Sequence, residues 1–301
     1  MMKYFSKYAL TGLLFLTAFS ACKKEYETIE TLDDKNVAAY IQANNLNMQE
    51  YINLEGVKTG IYYQILNPGT GAIVNYTDKA FMTYTIKSLD GAYSSMDENV
   101  NRYGSYLGYL DRIHGFPEWS SVLKEKLMNR GGSIRLVIPS RLAYGRSGKG
   151  TIPGNACLDC TINLSPFDNI TQFEDVFVKK YITDNNLTML EYKNSGGVKT
   201  GLYYQIITPG AGETITLSST INAVYSGKLT NGTVFDSNTS ANPLSISLSS
   251  VISGWQQGVP LIKEGGKIRL IIPPALGYGP AGSGAVPGNS TLDFTIELIK
   301  K

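Results

Sequence analysis

Residues that carry catalytic or metal chemistry are scarce in this chain. Its 301 residues include one histidine, three cysteines and two tryptophans, and 17% are charged. His114 is the sole imidazole, so a zinc site built on Cys157 and Cys160 would lack ligands. These two cysteines lie three positions apart in a segment that alternates like a strand, where such positions face opposite sides about 10 Å apart. We expect neither a disulfide nor a metal here.

The first 22 residues are interpreted as a targeting signal rather than as folded structure. Lys3 and Lys7 precede the apolar run Ala9–Phe19, which is too short to span a bilayer as a helix. Small residues then precede Cys22, which resembles the lipobox of bacterial lipoproteins, with Phe19 in place of the usual leucine. A lipid on Cys22 would be the only membrane anchor, because no later segment is apolar enough. The alternative is a plain secretory signal with a coincidental cysteine.

Charge balance argues against a nucleic-acid partner. Removal of residues 1–21 takes away two lysines and leaves 25 basic and 25 acidic residues. A chain of zero net charge lacks the basic face that phosphate backbones require. The N-terminal signal and Cys22 predict instead a lipid-anchored protein of the bacterial cell envelope, which would face either the periplasm or the exterior.

The sequence repeats itself. Tyr40–Gly71 matches Tyr181–Gly212 at an offset of 141 positions, and Ser133–Gly145 matches Lys267–Gly279 at an offset of 134. A repeat of this length corresponds to one globular domain per copy. The shrinking offset means that the first copy carries about seven extra residues. We assign them to the tyrosine-rich segment Asp97–Tyr109, interpreted as a recognition loop.

Apolar periodicity predicts the same elements in both copies. Asp33–Leu46 and Thr171–Leu187 have helical spacing, and short apolar strands follow them. In the second copy Val251–Gly258 reads as a short helix, and Leu292–Leu298 alternates as a final strand. The fold class predicted is α+β, with two domains that each wrap a five-stranded antiparallel sheet around a short helix and follow a helix of their own.

Six motifs in the second copy occur in a characteristic order. They are VYSGKL from Val224, GTVFDS from Gly232, VISGW from Val251, Ile272-Pro273, Gly277-Tyr278-Gly279 and VPGNSTLDF from Val286. This series resembles the FKBP-type peptidyl-prolyl cis–trans isomerases over residues 196–301. The resemblance implies catalysis of X–Pro rotation on proline-containing polypeptide clients, without metal or cofactor.

The resemblance also implies which residues form the proline pocket. Catalytic positions would be Tyr225, Phe235, Asp236, Ile252, Trp255, Tyr278 and Phe294. Substrate-binding positions would be Val251, Leu244, Ile246 and Val286. Trp255 would form the floor and the two phenylalanines the walls. The Ile252 N–H and the Tyr278 hydroxyl would hold substrate carbonyls, while Asp236 would either orient Tyr225 or act on the twisting amide.

The first copy keeps the scaffold but departs from the pocket pattern. Tyr84, Tyr144 and Ile152 match Tyr225, Tyr278 and Val286, whereas Ser94-Ser95 replace Phe235-Asp236 and Cys160 replaces Phe294. Phe116 and Trp119 are alternative candidates for the floor. We therefore expect a domain that folds similarly but is a poor isomerase.

These observations divide the chain into five parts. They are a signal peptide (1–21), a tether with the N-terminal helix (22–52), a degenerate domain (53–165), a connecting helix (166–195) and the isomerase domain (196–301). The leading hypothesis is an envelope prolyl isomerase that assists protein folding. The alternatives are a chaperone-like lipoprotein that grips unfolded chains with little catalysis, and a surface lipoprotein that uses exposed tyrosines to bind a glycan or a protein.

Overall fold

The protein is described by a computed structural model that covers residues 27–99, 101–110 and 118–299. The predicted signal peptide, the lipidation site Cys22, His114 and the floor candidate Phe116 lie outside these residues. Within the described ranges, no helix combines the length and the hydropathy needed to span a bilayer.

The N-terminal half contains one antiparallel sheet. Its strands are β1 (Gln49–Ile52), β2 (Lys58–Asn67), β3 (Lys79–Ser88), β4 (Ser94–Ser95), β5 (Arg102–Tyr106), β6 (Ser133–Ile138) and β7 (Leu158–Leu164). They are ordered β1-β2-β6-β7-β3-β4, and β5 also pairs with β3. The short helix α2 (Trp119–Val122) packs inside the curve of the sheet and continues as a wider turn over Leu123–Leu127.

The C-terminal half repeats this topology strand for strand. Its strands are β8 (Leu190–Lys193), β9 (Lys199–Thr208), β10 (Thr220–Leu229), β11 (Val234–Ser237), β12 (Leu244–Ser247), β13 (Lys267–Ile272) and β14 (Leu292–Leu298). Their order is β11-β10-β14-β13-β9-β8, with β12 also on β10. The enclosed helix is α4 (Ser253–Gly258). Within the described residues each sheet therefore has seven strands, more than the five predicted.

Alternation along the strands determines which side chains enter the core. On β13, Ile268, Leu270 and Ile272 are fully buried against α4, because neighbouring side chains of a strand face opposite sides. Two glycines of α4 permit this close approach. A Cβ at Gly254 would lie 2.5 Å from Ile272, and one at Gly258 would lie 2.5 Å from Leu270. The helix therefore rests directly on the central strand.

Each sheet also carries a longer helix on its outer face. These helices are α1 (Ile29–Ala43) and α3 (Ile170–Asp184), capped by the side chains of Thr28 and Asn169. Each helix is fixed by an equivalent part-buried group. In this group a tyrosine hydroxyl of the helix and an arginine of the sheet both donate to one aspartate, which lies on β7 in the first domain and on β14 in the second. The paired distances are Tyr40–Asp159 2.7 Å and Arg135–Asp159 2.6 Å in the first domain, and Tyr181–Asp293 2.8 Å and Arg269–Asp293 2.6 Å in the second.

Helix α3 contacts both domains. On the side of the first domain, the Phe173 ring stacks on Phe81 with centroids 5.6 Å apart, and the Arg102 guanidinium lies 3.5 Å from the centre of the Phe177 ring. On the side of the second domain, the Tyr203 hydroxyl donates to Asp175 at 2.7 Å. The connecting helix is therefore an element of the domain interface rather than an isolated linker.

The extra residues of the first copy do not lie where the sequence suggested. Strand β5 pairs with β3 in the register in which β12 pairs with β10, with Tyr106 opposite Lys79 and Ser247 opposite Thr220. The offset is still 141 there, so Asp97–Tyr109 contains no insertion. Most of the length difference falls between Tyr109 and Trp119.

Both sheets also begin before the predicted domain starts, at Gln49 and Leu190.

Candidate functional site

The second domain has an open cavity of about 250 Å³ between its sheet and α4. The residues that line it are Tyr225, Asp236, Leu244, Ile246, Ser250, Val251, Ile252, Trp255, Tyr278 and Phe294. Nine of these ten were predicted from the sequence. They come from the four strands β10, β11, β12 and β14, from helix α4, from the segment that precedes α4 and from the loop between β13 and β14, so only the tertiary fold brings them together.

Three aromatic rings form the inner end of the cavity. Trp255 is 3% exposed at the start of α4, and its ring centre lies 5.3 Å from that of Tyr225 and 5.3 Å from that of Phe294. Both contacts are nearly perpendicular, at 82° and 89°. Such edge-to-face contacts stabilise a rigid arrangement. Among the described residues, the Trp255 Nε1–H has no hydrogen-bond partner.

Phe235 and Val286, both predicted pocket residues, lie outside the lining set. The Phe235 ring packs edge-to-face against Phe294, with centroids 5.4 Å apart at 88°. It therefore supports the wall instead of forming it. Val286 is 6% exposed and belongs to the core. Phe235 lies on the edge strand β11 at an irregularity of the pairing with β10, between the pairs Lys228–Val234 and Gly227–Asp236.

Asp236 is the one charged residue among the described residues that line the cavity, and a hydroxyl holds it. The Tyr225 hydroxyl donates to the Asp236 carboxylate at 2.6 Å. Burial of the phenol, followed by this hydrogen bond, raises the pKa of Tyr225. Burial also raises the pKa of Tyr278, with a smaller contribution from the negative charge of Asp236. Both phenols therefore remain protonated donors at neutral pH.

The rim of the cavity is fixed by a residue that the sequence did not indicate. The Gln256 amide of α4 donates to the Val251 carbonyl at 2.8 Å and to the Ser249 carbonyl at 3.2 Å. The Ile252 carbonyl in turn accepts from the Trp255 and Gln256 N–H groups at 3.0 and 3.2 Å. The rim segment is thereby tied to the first turn of α4. The sequence feature that could have indicated this role is the glutamine that directly follows Trp255.

Comparison with known proteins agrees with this geometry. A sequence profile for the FKBP-type peptidyl-prolyl cis-trans isomerases matches residues 71–165 and 211–299, which together make up more than half of the chain. The chain belongs to the FKBP family. The predicted α+β class, with two FKBP domains, is thereby confirmed.

Individual relatives are similar over part of their length. The FKBP-type isomerase FkpA of Buchnera aphidicola is 43% identical over 135 residues, 42% of this chain and 54% of the relative. FkpA of Escherichia coli is 44% identical over 130 residues, 40% of this chain and 48% of the relative. The crystal structure of Escherichia coli FkpA has 39% identity and a TM-score of 0.37, covering 43% of this chain and 60% of that one. The chain thus spans about half the length of the curated relatives.

The first FKBP domain retains the floor of the cavity. Trp119 is 1% exposed, and its ring lies 5.9 Å from that of Tyr84 at 76°, as Trp255 lies against Tyr225. Of the two floor candidates, Trp119 is therefore the one found in this position, while Phe116 lies outside the described residues. Tyr144 packs against the core of the first domain, as its counterpart Tyr278 packs against the core of the second.

The space above this floor is filled differently in the two FKBP domains. On β3, Ile86 pairs with Cys160 and with Ser95, whereas Gly227 of the second domain pairs with Phe294 and Asp236. The Ile86 side chain is 5% exposed. In addition, Tyr103 is buried opposite Met82 at the register position of Leu244, and its hydroxyl donates to the Tyr106 carbonyl. Aliphatic and phenolic side chains thus occupy positions that are small or open in the second domain.

Proposed function

We propose that this protein is a peptidyl-prolyl cis–trans isomerase whose catalysis resides in the second FKBP domain. One observation carries the proposal: Tyr225, Asp236, Trp255, Tyr278 and Phe294 converge on a single open cavity. The cavity combines an apolar inner end with a few polar groups at its mouth, as sites for small rings do. Its substrate would be a proline residue within a polypeptide.

The chemistry requires no bond to be made or broken. Rotation about an X–Pro amide has a barrier of about 18–20 kcal/mol, because the planar amide is stabilised by resonance. The twisted amide loses that resonance and much of its polarity. A dry aromatic cavity binds the twisted form better than the planar form, and this differential binding lowers the barrier.

The side chains have separate parts in this proposal. Trp255 forms the floor beneath the pyrrolidine ring and Phe294 the adjacent wall. The Ile252 N–H and the Tyr278 hydroxyl hold substrate carbonyls, which fixes the bond that rotates. Asp236, hydrogen-bonded to Tyr225, orients that phenol at the mouth and leaves its remaining carboxylate oxygen toward the substrate amide.

A proline-limited peptide or refolding assay on the full chain tests the proposal. We expect Asp236→Ala and Tyr278→Phe each to lower kcat/KM by about tenfold or more, which corresponds to about 1.4 kcal/mol of transition-state stabilisation. The first domain supplies matched controls, because Ser95 and Tyr144 occupy the equivalent positions.

Ser95→Ala and Tyr144→Phe should leave the rate unchanged. Equal losses from the two sets of variants would show that catalysis is not confined to the second domain. Unchanged rates in all four would contradict the assigned cavity. We propose accordingly that the first domain is a poor isomerase and contributes binding or support, because Ile86 and Tyr103 take up the space of a substrate ring.

The cellular setting is part of the proposal. The basic and apolar N-terminus ending at Cys22 supports acylation at this cysteine and attachment to the bacterial envelope, where secreted or outer-membrane polypeptides would be the clients. Metabolic labelling with a fatty-acid analogue tests this. Label should appear in the membrane fraction of cells that express the natural chain and disappear with Cys22→Ser.

A chaperone-like role is the second candidate, and one observation favours it. A groove of about 580 Å³ runs between the first sheet and α3. Its apolar side chains include Leu164, Phe167, Phe173, Val176 and Phe177. Suppression of client aggregation that survives Asp236→Ala but is reduced by Val176→Asp would support this role. Suppression that is lost with Asp236→Ala would assign client binding to the proline cavity instead.

A further inference from the structure

Strand β10 has a break in its pairing at the residue that carries the site phenol. On its outer side, β12 pairs with β10 as far as Ala223, and β11 takes over from Ser226. Among the described strands, none therefore pairs with Val224 and Tyr225 on that side. This is the point where a mobile backbone would most directly displace the Tyr225 ring and its bond to Asp236.

Asn238 closes this break with three hydrogen bonds. Its main-chain N–H donates to the Tyr225 carbonyl at 3.1 Å. Its side-chain oxygen accepts from the Tyr225 N–H at 2.7 Å, and its side-chain nitrogen donates to the Ala223 carbonyl at 2.8 Å. The amide thus replaces the missing strand, since it offers one acceptor and one donor with the spacing of a peptide group.

The residues that Asn238 holds belong to two sides of the cavity. Tyr225 bears the hydroxyl that donates to Asp236 at 2.6 Å. Ala223 is the register partner of Leu244, which also lines the cavity. We propose that Asn238 is a positioning residue of the isomerase site, which fixes the Tyr225–Asp236 pair and Leu244 relative to the Trp255 floor. The inference rests on the proposed function of the second domain.

The first domain closes the same break by other means. The position equivalent to Asn238 is Asp97, which cannot donate from its side chain when ionised. Its carboxylate accepts from the Asn99 N–H at 2.9 Å, and the Tyr84 N–H donates instead to the Asn101 carbonyl at 3.0 Å. The fold therefore does not require an amide at this position. The amide occurs in the domain whose cavity is open.

The test compares Asn238→Ala and Asn238→Asp with the natural full-length chain in the proline-limited assay. Asp keeps the acceptor for Tyr225 but loses the donor to Ala223, so its loss should be smaller than that of Ala. We expect Asn238→Ala to lower kcat by about tenfold with KM nearly unchanged, because a displaced Tyr225–Asp236 pair weakens transition-state binding rather than ground-state binding. An unchanged kcat would overturn the inference.

Asn231→Ala is the matched control for a merely structural effect. Asn231 makes a comparable side-chain bond, accepting from the Thr233 N–H at 3.0 Å, at the far end of the same hairpin. Both alanine variants should lower the thermal midpoint by a similar amount, and Asn231→Ala should keep its kcat. An equal fall of kcat in both variants would mean that Asn238 only stabilises the fold, and it would overturn the inference.

A double-mutant cycle with Tyr225→Phe completes the test. If Asn238 acts through Tyr225, the fold-loss of the double variant should be close to that of Tyr225→Phe alone, because coupled residues are not additive. Multiplicative losses would overturn the positioning role while leaving the proposed cavity intact. Full activity in Tyr225→Phe would contradict the proposed site itself, and the inference would fail with it.

Discussion

Ile86 on β3 faces Cys160 on β7 in the register in which Gly227 faces Phe294 in the second domain. The two domains have thus exchanged large and small residues across one strand pair. In the second domain the glycine makes room for two rings, since a Cβ at Gly227 would lie 2.6 Å from both Phe235 and Phe294. In the first domain the isoleucine takes this space. Together with Tyr103 at the register position of Leu244, this pair of positions distinguishes the two cavities.

Gly227→Ala should close the cavity from behind. The backbone at Gly227 has no positive φ, so the substitution acts through packing alone. We expect a loss of about 1–3 kcal/mol in the free energy of unfolding, as for other overpacked cores. The displaced Phe294 ring should lower kcat/KM by about tenfold or more. Denaturant unfolding and the isomerase assay measure the two effects.

The matched control is Ile86→Val at the equivalent position of the first domain. It should lower stability by about 0.5–1.5 kcal/mol and leave the isomerase rate unchanged. If Gly227→Ala retained the natural rate, the ring of Phe294 would not be the wall of the site.

Phe235→Ala tests whether a ring outside the cavity supports its wall. The half-buried Phe235 ring contacts the Phe294 ring. Its removal should cost about 2 kcal/mol of stability, less than the 3–5 kcal/mol typical of a fully buried phenylalanine. We expect kcat/KM to fall because Phe294 gains freedom. Phe235→Leu keeps an apolar support and should recover most of the rate; equal rates for both variants would argue against a supporting role.

Glu174 of α3 should make the stability of the protein depend on pH. It is 5% exposed at the domain interface, and its carboxylate accepts from the Ala275 N–H at 3.1 Å. Burial raises the pKa of Glu174 from 4.5 to about 7, although the Ala275 N–H and the positive charge of Arg102 partly oppose this shift. The folded state then binds more protons than the unfolded state between these values. Stability should therefore fall as pH rises from about 4.5 to 7.

Glu174→Gln should remove this dependence. We expect the variant to be more stable than the natural chain above pH 7 by up to about 3 kcal/mol, with little difference below pH 4.5. Thermal unfolding across this range measures it. Asp33→Asn is the comparison in the first domain, where the carboxylate accepts from Ser140 at 2.7 Å and from the Arg141 N–H at 2.9 Å. That variant should lose stability at pH 7, and equal behaviour of the two would contradict the assignment to Glu174.

The thiols of the first domain should react only after unfolding. Cys157 and Cys160 are free and buried. Burial, aided by the nearby Asp33 carboxylate, raises the pKa of Cys157 to about 12, and burial raises the pKa of Cys160 as well. The reactive thiolate is therefore nearly absent at neutral pH. In a Cys22→Ser chain, a thiol reagent should label two cysteines in denaturant, and fast labelling of the native chain would contradict this burial.

Much of the site could be predicted from the sequence because its motifs resemble those of the FKBP family in order and spacing. Nine of the ten cavity residues were named in advance, and the strand from Leu292 to Leu298 was predicted from its alternation. The position of the extra residues was not, because identity between the copies is too low in that stretch to locate a gap. Strand register located it, through the pairing of β5 with β3.

The sequence by itself determined the repeat, the α+β class and the set of residues that distinguishes the second domain. Packing decided the rest, because the direction of a side chain depends on the strand opposite it. That is why Phe235 supports the wall, why Val286 lies in the core and why Trp119 underlies Tyr84. The interruption in the pairing of β10 that Asn238 closes lies where β12 ends and β11 begins along the same strand, and no local sequence pattern predicts it.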